Sequence, residues 1–198
     1  MDPDDDWALW TRSRGGDTAA FEELFRRYAR TIYNYCFRRT GSWITAEDLL
    51  SVVFLEAWKQ RRKELPPGKV LPWLYGIATN VIRNRQRSER RHARALSRLS
   101  EVLPGTGLAE EAAERLEDER VMKQLLEALA VLPQREQDVV VLCGWNELSY
   151  EDASVALGIP VGTVRSRLSR ARARLRELEL DFGHEKGDEP TKRDSITR

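Results

Sequence analysis

Hydrophobic residues recur along most of the chain at intervals of three and four positions, the spacing of one face of an α-helix. The first such segment contains Phe21, Leu24, Phe25 and Tyr28, and its apolar stripe continues to a stop near Gly41. The alternation of single polar and apolar residues that is typical of half-buried strands is almost absent. The pattern therefore predicts an all-α protein.

Capping and helix-breaking residues divide this pattern into elements. A turn at Gly15-Gly16-Asp17 precedes the first predicted helix, and Thr45 to Asp48 form a capping box that predicts the start of the next one. The loop signal Leu65-Pro66-Pro67-Gly68 ends that helix, and Pro72 suits the first turn of another. We expect residues 1–16 to be a flexible segment.

The charged residues are segregated along the chain, although the formal net charge is only +1. The arginines between Arg83 and Arg98 are opposed by Glu89 alone, and an acidic stretch follows from Glu110 to Glu119. A polyanion responds to this local charge rather than to the average. The predicted division is a helical bundle over 17–98, a flexible acidic linker over 99–118, a second helical domain over 119–180 and a disordered tail over 181–198.

The segment from Leu148 to Arg165 has the features of a helix-turn-helix unit. Ser149 and Asp152 form a second capping box, Gly158 follows a short helix, and Pro160 begins another helix after a tight turn. In DNA-binding units of this type, the second helix enters the major groove. The segment therefore predicts a recognition helix that begins near Pro160.

The outward side of this recognition helix is rich in arginine. Its inward stripe is predicted to be Val164, Leu168, Ala171 and Leu175. The outward residues placed to reach base edges are Arg165, Ser166, Ser169 and Arg170. Those better suited to phosphates are Arg167, Arg172, Arg174 and Arg176. The alternative is a solvated surface helix, but such helices usually interleave acids and bases, and this stretch does not.

These residues carry a resemblance to a known family. The sequence LPQREQDVVVL, followed by LSYEDASVALGIPVGTVRSRLSRARARLREL, resembles the C-terminal promoter-reading domain of bacterial RNA polymerase sigma factors. The stretch from Gly162 to Arg172 is similar to the extracytoplasmic-function group in particular, whereas Ala153 stands where that family usually has a larger aliphatic residue. The resemblance implies contacts with the −35 promoter element by Tyr150, Thr163, Arg165, Ser166, Arg167, Ser169, Arg170, Arg172 and Arg174.

A segment of the N-terminal half, Ala46 to Lys59, resembles the family's helix that docks on the polymerase clamp. Polar groups around an apolar anchor suit a protein interface. The implied polymerase-binding residues are Asp48, Ser51, Leu55 and Trp58. An alternative is that Leu55 and Trp58 belong to the core. Ser51 and Val52 replace an amide and an acid that are frequent in the family.

A second segment, Pro72 to Arg91, resembles the helix that reads the melted −10 element. The implied −10 contacts are Lys63, Lys69, Tyr75, Asn80, Arg83, Asn84 and Arg87. The two asparagines lie one helical turn apart and could pair with base edges, while the arginines could meet phosphates. The loop that contains the two lysines forms, in the family, a pocket for a flipped base, and the tyrosine is a candidate for base stacking.

The resemblance implies a non-enzymatic subunit that binds the clamp and flap regions of bacterial core RNA polymerase and directs initiation at promoter DNA. An anti-sigma factor is a further partner that the resemblance allows. The alternative is a stand-alone helix-turn-helix regulator with an N-terminal sensing or dimerisation domain. An enzyme would need converging carboxylates or histidines, and His92 and His184 lie in a basic run and a polar tail.

The two cysteines, Cys36 and Cys143, lie far apart in apolar stretches and lack metal-ligand spacing, so no metal site or cofactor is expected. The acidic start of the chain is the reverse of a signal peptide, and no apolar run approaches the length of a membrane span. The sequence therefore predicts a cytoplasmic protein without membrane insertion.

Overall fold

The computed structural model describes residues 3–96 and 111–177. In these two ranges the chain forms α-helices and no strand, so the all-α prediction with two helical regions is confirmed. The helices of the N-terminal region are α1 (Pro3–Arg14), α2 (Thr18–Thr40), α3 (Trp43–Lys59) and α4 (Val70–Leu96). Those of the C-terminal region are α5 (Glu111–Leu129), α6 (Gln134–Val140), which a π-helical turn at Val141–Trp145 extends, α7 (Tyr150–Leu157) and α8 (Val161–Glu177).

The N-terminal region packs around an aromatic-rich core. The indole rings of Trp10 and Trp73 lie 4.6 Å apart between centroids, and the rings of Tyr35 and Tyr75 form an edge-to-face pair at 5.0 Å. Such tilted and edge-to-face pairs add to the stabilisation that burial alone provides. The buried Tyr35 hydroxyl also has a hydrogen-bond partner, the Thr79 hydroxyl on α4, at 2.7 Å. The core thereby fixes α4 against α1 and α2.

Residues 3–14 are helical, so the flexible N-terminal segment expected from the sequence is wrong for this stretch. Trp10 is 1% exposed, and its indole Nε1 donates a hydrogen bond to the carbonyl oxygen of Lys63 at 3.2 Å. The Asp6 carboxylate forms an ion pair of 2.9 Å with Arg27. The acidic residues at the start of the chain led to the expectation of a flexible segment. Burial of Trp10 against α4 nevertheless stabilises α1, although the hydropathy of this helix is low.

Local capping explains where α2 and α3 begin and end. The Asp17 side chain accepts a backbone N–H in the first turn of α2, and Gly41 ends that helix at a φ of 63°, which glycine adopts without strain. Ser42 then caps α3 by accepting the backbone N–H of Thr45 at 3.3 Å. Helix α3 therefore starts at Trp43, two residues before the predicted capping box.

The C-terminal region begins earlier than the sequence indicated. Helix α5 starts at Glu111, inside the stretch 99–118 that was expected to be a linker. Its acidic residues are compatible with a helix because Glu117 and Arg120 form an ion pair of 2.6 Å across one turn. The rest of the predicted linker and the predicted tail at 181–198 lie outside the described residues.

The helix-turn-helix unit has the local structure that its sequence predicts. Ser149 Oγ accepts the backbone N–H of Asp152 at 3.0 Å and caps α7. Gly158 ends α7 at a φ of 63°, and α8 begins three residues later. The core beneath the unit is aliphatic, with Leu142 and Val164 fully buried.

The two regions pack against each other through α4 and α7. A Cβ atom at Gly76 of α4 would lie 2.4 Å from the backbone carbonyl oxygen of Ala156, so the two helices touch where α4 has no side chain. Nearby, Arg38 of α2 donates a hydrogen bond of 2.5 Å to the carbonyl oxygen of Trp145. The described residues thus form one continuous body.

Candidate nucleic-acid interface

Helix α8 buries one stripe and leaves an arginine-rich face open. The predicted inward residues Val164, Leu168, Ala171 and Leu175 are all buried. Of the predicted −35 residues on α8, those that are exposed are Arg165, Ser166, Ser169, Arg170, Arg172 and Arg174. Thr163 and Arg167 are half-buried. The structure therefore brings the predicted base-reading side chains to one face at the N-terminal half of α8.

Tyr150 lies beside this face and holds one of its arginines. The Arg165 guanidinium carbon is 5.7 Å from the centroid of the Tyr150 ring, within the range of a cation–π contact. Tyr150 itself is half-buried at the start of α7. The contact orients Arg165 at the mouth of the helix-turn-helix unit while its side chain remains exposed.

Two other arginines of α8 are tied down within the C-terminal region. Glu136 of α6 is 6% exposed and forms an ion pair with Arg174. Arg170 Nε also lies 3.5 Å from the same carboxylate. These contacts fix the angle between α6 and α8. This structural role has no local signal in the sequence, because Glu136 and Arg174 are 38 residues apart.

The predicted −10 residues fall into two groups in the structure. Lys63, Asn80, Asn84 and Arg87 are exposed. Lys69 and Arg83 instead form ion pairs with carboxylates of the C-terminal region. Lys69 Nζ lies 2.8 Å from Asp152, and Arg83 Nη2 lies 2.5 Å from Asp138. A −10 strand would have to displace these carboxylates to reach the two cations.

Tyr75 is not available for base stacking, so that prediction is wrong. Its side chain is 4% exposed and forms an edge-to-face pair with Tyr35. Burial raises the pKa of the Tyr75 hydroxyl above its ordinary value. The helical spacing of α4 places it with Trp73 and Ile77 on the inward side, which is the physical reason for the correction.

The predicted polymerase-binding face of α3 is open. Asp48, at 67% side-chain exposure, and Ser51 and Leu55 are exposed along one side of the helix. Leu55 is 53% exposed, so the alternative that it belongs to the core is wrong. Trp58 is half-buried, with Phe21 5.0 Å from its ring and the Arg61 guanidinium 4.2 Å above it.

Two apolar residues that were not among the predicted contacts extend this face. Val52, on the same helix, is 42% exposed, and Phe25 of α2 is 38% exposed. Both fit the helical spacing of core residues, so their periodicity gave no sign of exposure. The resulting patch of apolar side chains has the character of a protein interface rather than of a solvated surface.

A basic cleft lies between the two regions and was also not foreseen. Its volume is about 680 Å³, and no carboxylate lines it. The lining cations are Arg83, Arg87, Arg90 and Arg91 of α4, Arg135 of α6 and Arg167 of α8. Clustered guanidinium groups of this kind favour phosphate oxygens. The cleft arises only because α4 and the helix-turn-helix unit are side by side.

The two cysteines lie in surroundings that disfavour the thiolate. Burial raises the pKa of the Cys36 thiol to about 12 and that of Cys143 to about 11, so neither is a reactive thiolate near neutral pH. Within residues 3–96 and 111–177, no group of three or more histidine, cysteine or carboxylate side chains could hold a metal ion. Over the same ranges, no helix is long and apolar enough to cross a membrane.

Comparison with known families accounts for both helical regions. The family model for Sigma-70 region 2 matches residues 24–92, which span α2 to α4. The model for Sigma-70 region 4 matches residues 122–175, which begin in the second half of α5 and continue into α8. Together the two regions define the class as sigma factors of the sigma-70 type.

Curated relatives narrow the class. The RNA polymerase sigma factor CarQ of Myxococcus xanthus is 32% identical over 167 residues, which cover 84% of this chain and 93% of CarQ. The ECF RNA polymerase sigma factor SigW of Bacillus subtilis (strain 168) is 31% identical over 176 residues, 84% of this chain and 92% of SigW. The chain belongs to the extracytoplasmic-function (ECF) group of RNA polymerase sigma factors.

A solved structure has the same fold. CnrH, in complex with the cytosolic domain of CnrY, superposes with a TM-score of 0.62 at 24% identity, over 90% of this chain and 97% of CnrH. With both regions matched, the prediction of a promoter-recognising sigma factor is confirmed, and the stand-alone regulator is excluded. Its partners are RNA polymerase and promoter DNA.

Proposed function

We propose that this sigma factor divides promoter recognition and polymerase binding among three faces: α8 for the −35 element, α4 and its preceding loop for the −10 element, and α3 for the polymerase clamp. The observation that carries the proposal is the exposed arginine and serine face of α8 above a fully buried apolar stripe. The corresponding domain division is 17–98 and 119–180, adjusted to include α1 in the first domain and the whole of α5 in the second.

For the −35 element, Arg165 is proposed to hold a base edge in the major groove by two hydrogen bonds. Its exposure and its cation–π contact with Tyr150 support this role, because the contact limits the rotamers that must be ordered on binding. Arg167 and Arg172 have no ion-pair partner among the described residues and are proposed to bind phosphates. Arg174 contributes mainly by holding α8 through Glu136.

For the −10 element, Asn80, Asn84 and Arg87 are the proposed contacts on α4. All three are exposed. Lys63 lies in the loop after α3, and Trp10 supports that loop by donating to the Lys63 carbonyl oxygen. Helix α1 is therefore proposed to hold the loop in the position that receives a flipped base.

For the polymerase, the proposed contact is the face of α3 that carries Asp48, Ser51 and Leu55, with Val52 added from the structure. The exposed apolar pair would be buried against the clamp, while Asp48 supplies a polar rim. Contact of the C-terminal region with the flap is proposed from the family resemblance. Since polymerase works on the chromosome, the proposed place of action is the cytoplasm, and the proposed role is that of a specificity subunit rather than an enzyme.

An anti-sigma factor is a further proposed partner. CnrH, which shares the fold, was solved with the cytosolic domain of CnrY bound. The exposed apolar side chains of α3 and α2 are proposed as its docking surface. Exposed apolar side chains that are grouped on one surface are typical of protein interfaces.

Run-off transcription with bacterial core polymerase tests the proposed function. Addition of the chain should produce promoter-selective transcripts from a genomic template library, and Leu55→Asp should abolish them by placing an unpaired charge in the clamp contact. Val131→Asp, at another exposed apolar residue, is the matched control and should retain activity. If Leu55→Asp still assembled holoenzyme to the same extent as the control, the proposed clamp face would be wrong.

A further inference from the structure

We propose that the basic cleft between the two regions is a binding site for a small ligand that carries several adjacent phosphate groups. The volume of the cleft, about 680 Å³, lies in the range of small-molecule sites in proteins. The proposal goes beyond promoter recognition and does not depend on it, because it concerns binding by the sigma factor without DNA.

The cleft has a large excess of positive charge. Six guanidinium groups line it, and no carboxylate does. Arg83 is compensated by the buried carboxylate of Asp138, but the other five form no ion pair with any residue that the structure describes. Like charges held in one cleft repel each other, so the binding of a multivalent anion there lowers the electrostatic energy.

A second surface pocket has the opposite charge balance. Arg30 of α2 and Arg115 of α5 line a pocket of about 530 Å³, but Glu114 and Asp118 line it as well. Two cations there meet two carboxylates, so that pocket has no net charge with which to attract an anion. The charge excess of the basic cleft is therefore a local property and not a general result of the arginine content of the chain.

The cations of the basic cleft are suited to phosphate in particular. A planar guanidinium group can donate two parallel hydrogen bonds to one phosphate group. The arginines come from both walls of the cleft, for example Arg91 from α4 and Arg135 from α6. A ligand with two or three linked phosphate groups would reach more of these cations than a single phosphate ion could.

The rest of the lining suits a ring system attached to the phosphate groups. Leu157 and Ile159 contribute apolar surface. Gln86 also lines the cleft, and its buried amide oxygen has no hydrogen-bond partner in the described part of the chain. Because an unpaired acceptor is unfavourable, rotation of this amide toward an N–H group of a ligand would be favoured. These features favour a nucleoside polyphosphate over inorganic polyphosphate.

The site shares two arginines with the proposed DNA contacts, Arg87 and Arg167. The ligand and promoter DNA would therefore compete for these side chains, and an occupied cleft would lower the affinity for the promoter. This consequence rests on the proposed function, whereas the binding site does not.

Isothermal titration calorimetry of the full chain tests the site, with GTP, ATP and inorganic tripolyphosphate as probes in magnesium-free buffer. About 0.15 M salt reduces the Debye length to about 8 Å, which suppresses weak binding to scattered surface charges. We expect one ligand per chain, with a lower Kd for a nucleotide than for tripolyphosphate. Arg91→Ala combined with Arg135→Ala should raise the Kd at least about tenfold, because charge-assisted hydrogen bonds are lost from both walls.

The matched control is Arg30→Ala combined with Arg115→Ala, which removes the same charge from the balanced pocket. Its Kd should stay close to that of the wild type, and circular dichroism should give the same helix content for both double variants. The proposal is overturned if no probe gives saturable binding, or if the two double variants weaken binding equally. Binding of tripolyphosphate as tight as that of both nucleotides would support the site and assign it to inorganic polyphosphate.

Two further results separate this proposal from DNA binding. If no phosphate probe binds and the Arg91 and Arg135 substitutions weaken only the binding of a duplex oligonucleotide, the cleft is a DNA contact and the proposal is wrong. If the calorimetry gives the expected result but the chain produces no promoter-selective transcripts with core polymerase, the proposed function is contradicted and the phosphate site stands.

Discussion

The two arginine-rich helices of this sigma factor, α4 and α8, have similar local charge but different surroundings. On α8, Arg165 and Arg172 are open to solvent along an exposed face. On α4, Arg83 is held by the buried carboxylate of Asp138, which belongs to the opposite region. An excess of arginine in the sequence therefore does not indicate which arginine side chains are available to bind DNA.

The two helices also differ in the side chains that hold them in place. Helix α4 is fixed by aromatic pairs, with Trp10 of α1 against Trp73, whereas α8 rests on an aliphatic stripe. Aromatic side chains bury more surface each than aliphatic ones, so removing a single buried ring from the N-terminal region is expected to cost more than removing one residue of the aliphatic stripe.

Trp10→Ala should lower the free energy of unfolding by about 3–5 kcal/mol, because it removes a fully buried indole and leaves a cavity against α4. Urea unfolding measures this change. Trp7→Ala is the matched control, since Trp7 is 40% exposed on the same helix, and it should cost clearly less, about 1–2 kcal/mol. Equal effects of the two substitutions would mean that α1 does not support α4.

Arg165→Ala should cost about 1–3 kcal/mol in −35 binding and should relax specificity at one base position only. The reason is that an exposed arginine at the N-terminal half of a recognition helix reads a base edge. Holoenzyme binding to a duplex series with single base-pair changes measures it. Arg176→Ala, at the far end of the same helix, serves as control and should weaken all sequences alike. Uniform weakening by Arg165→Ala would reduce that residue to a phosphate contact.

Arg167→Ala should reduce the slope of log affinity against log salt by about 1, as expected when one phosphate contact is lost. Arg174→Ala should change the slope less, because Arg174 is already paired with Glu136. It should instead destabilise the C-terminal region by leaving a nearly buried carboxylate without its main partner. Titrations at several salt concentrations, together with thermal unfolding, separate the two roles, and identical slopes for both variants would contradict this distinction.

The helices and the helix-turn-helix unit could be predicted because their signals are local. The stripe from Val164 to Leu175 and the caps at Ser149 and Gly158 lie within a few residues of what they determine. The burial of Tyr75 could also have been inferred, since it falls on the same side of α4 as Trp73. The ion pairs of Asp138 had no such signal, because Arg83 is 55 residues away and no periodicity links the two.

The raised pKa values of the cysteine thiols predict how the free energy of unfolding changes at alkaline pH. Burial raises the pKa of Cys36 from 9.0 to about 12, so the unfolded thiol ionises before the native one. The contribution of Cys36 is therefore unaffected well below pH 9 and falls as the pH rises through 9 toward 12, by less than about 1 kcal/mol up to pH 9.5. The pKa of Cys143 is raised to about 11, so this thiol adds a fall of similar size. Urea unfolding at pH 7.5 and 9.5 measures the sum. Cys36→Ala should remove about half of the fall, and an unchanged pH dependence in that variant would assign the fall to other groups.

The most direct test of the account is the distance between α3 and α8 in the free chain and in the promoter complex. Spin labels on cysteines introduced at Gln60, directly after α3, and at Ala173 of α8, both of which are exposed, report that distance in a Cys143→Ser background. The account predicts one short, narrow distribution for the free sigma factor and a lengthening of tens of ångströms once polymerase and promoter DNA are bound, since the two elements lie about 70 Å apart. The same distance in both states would contradict it.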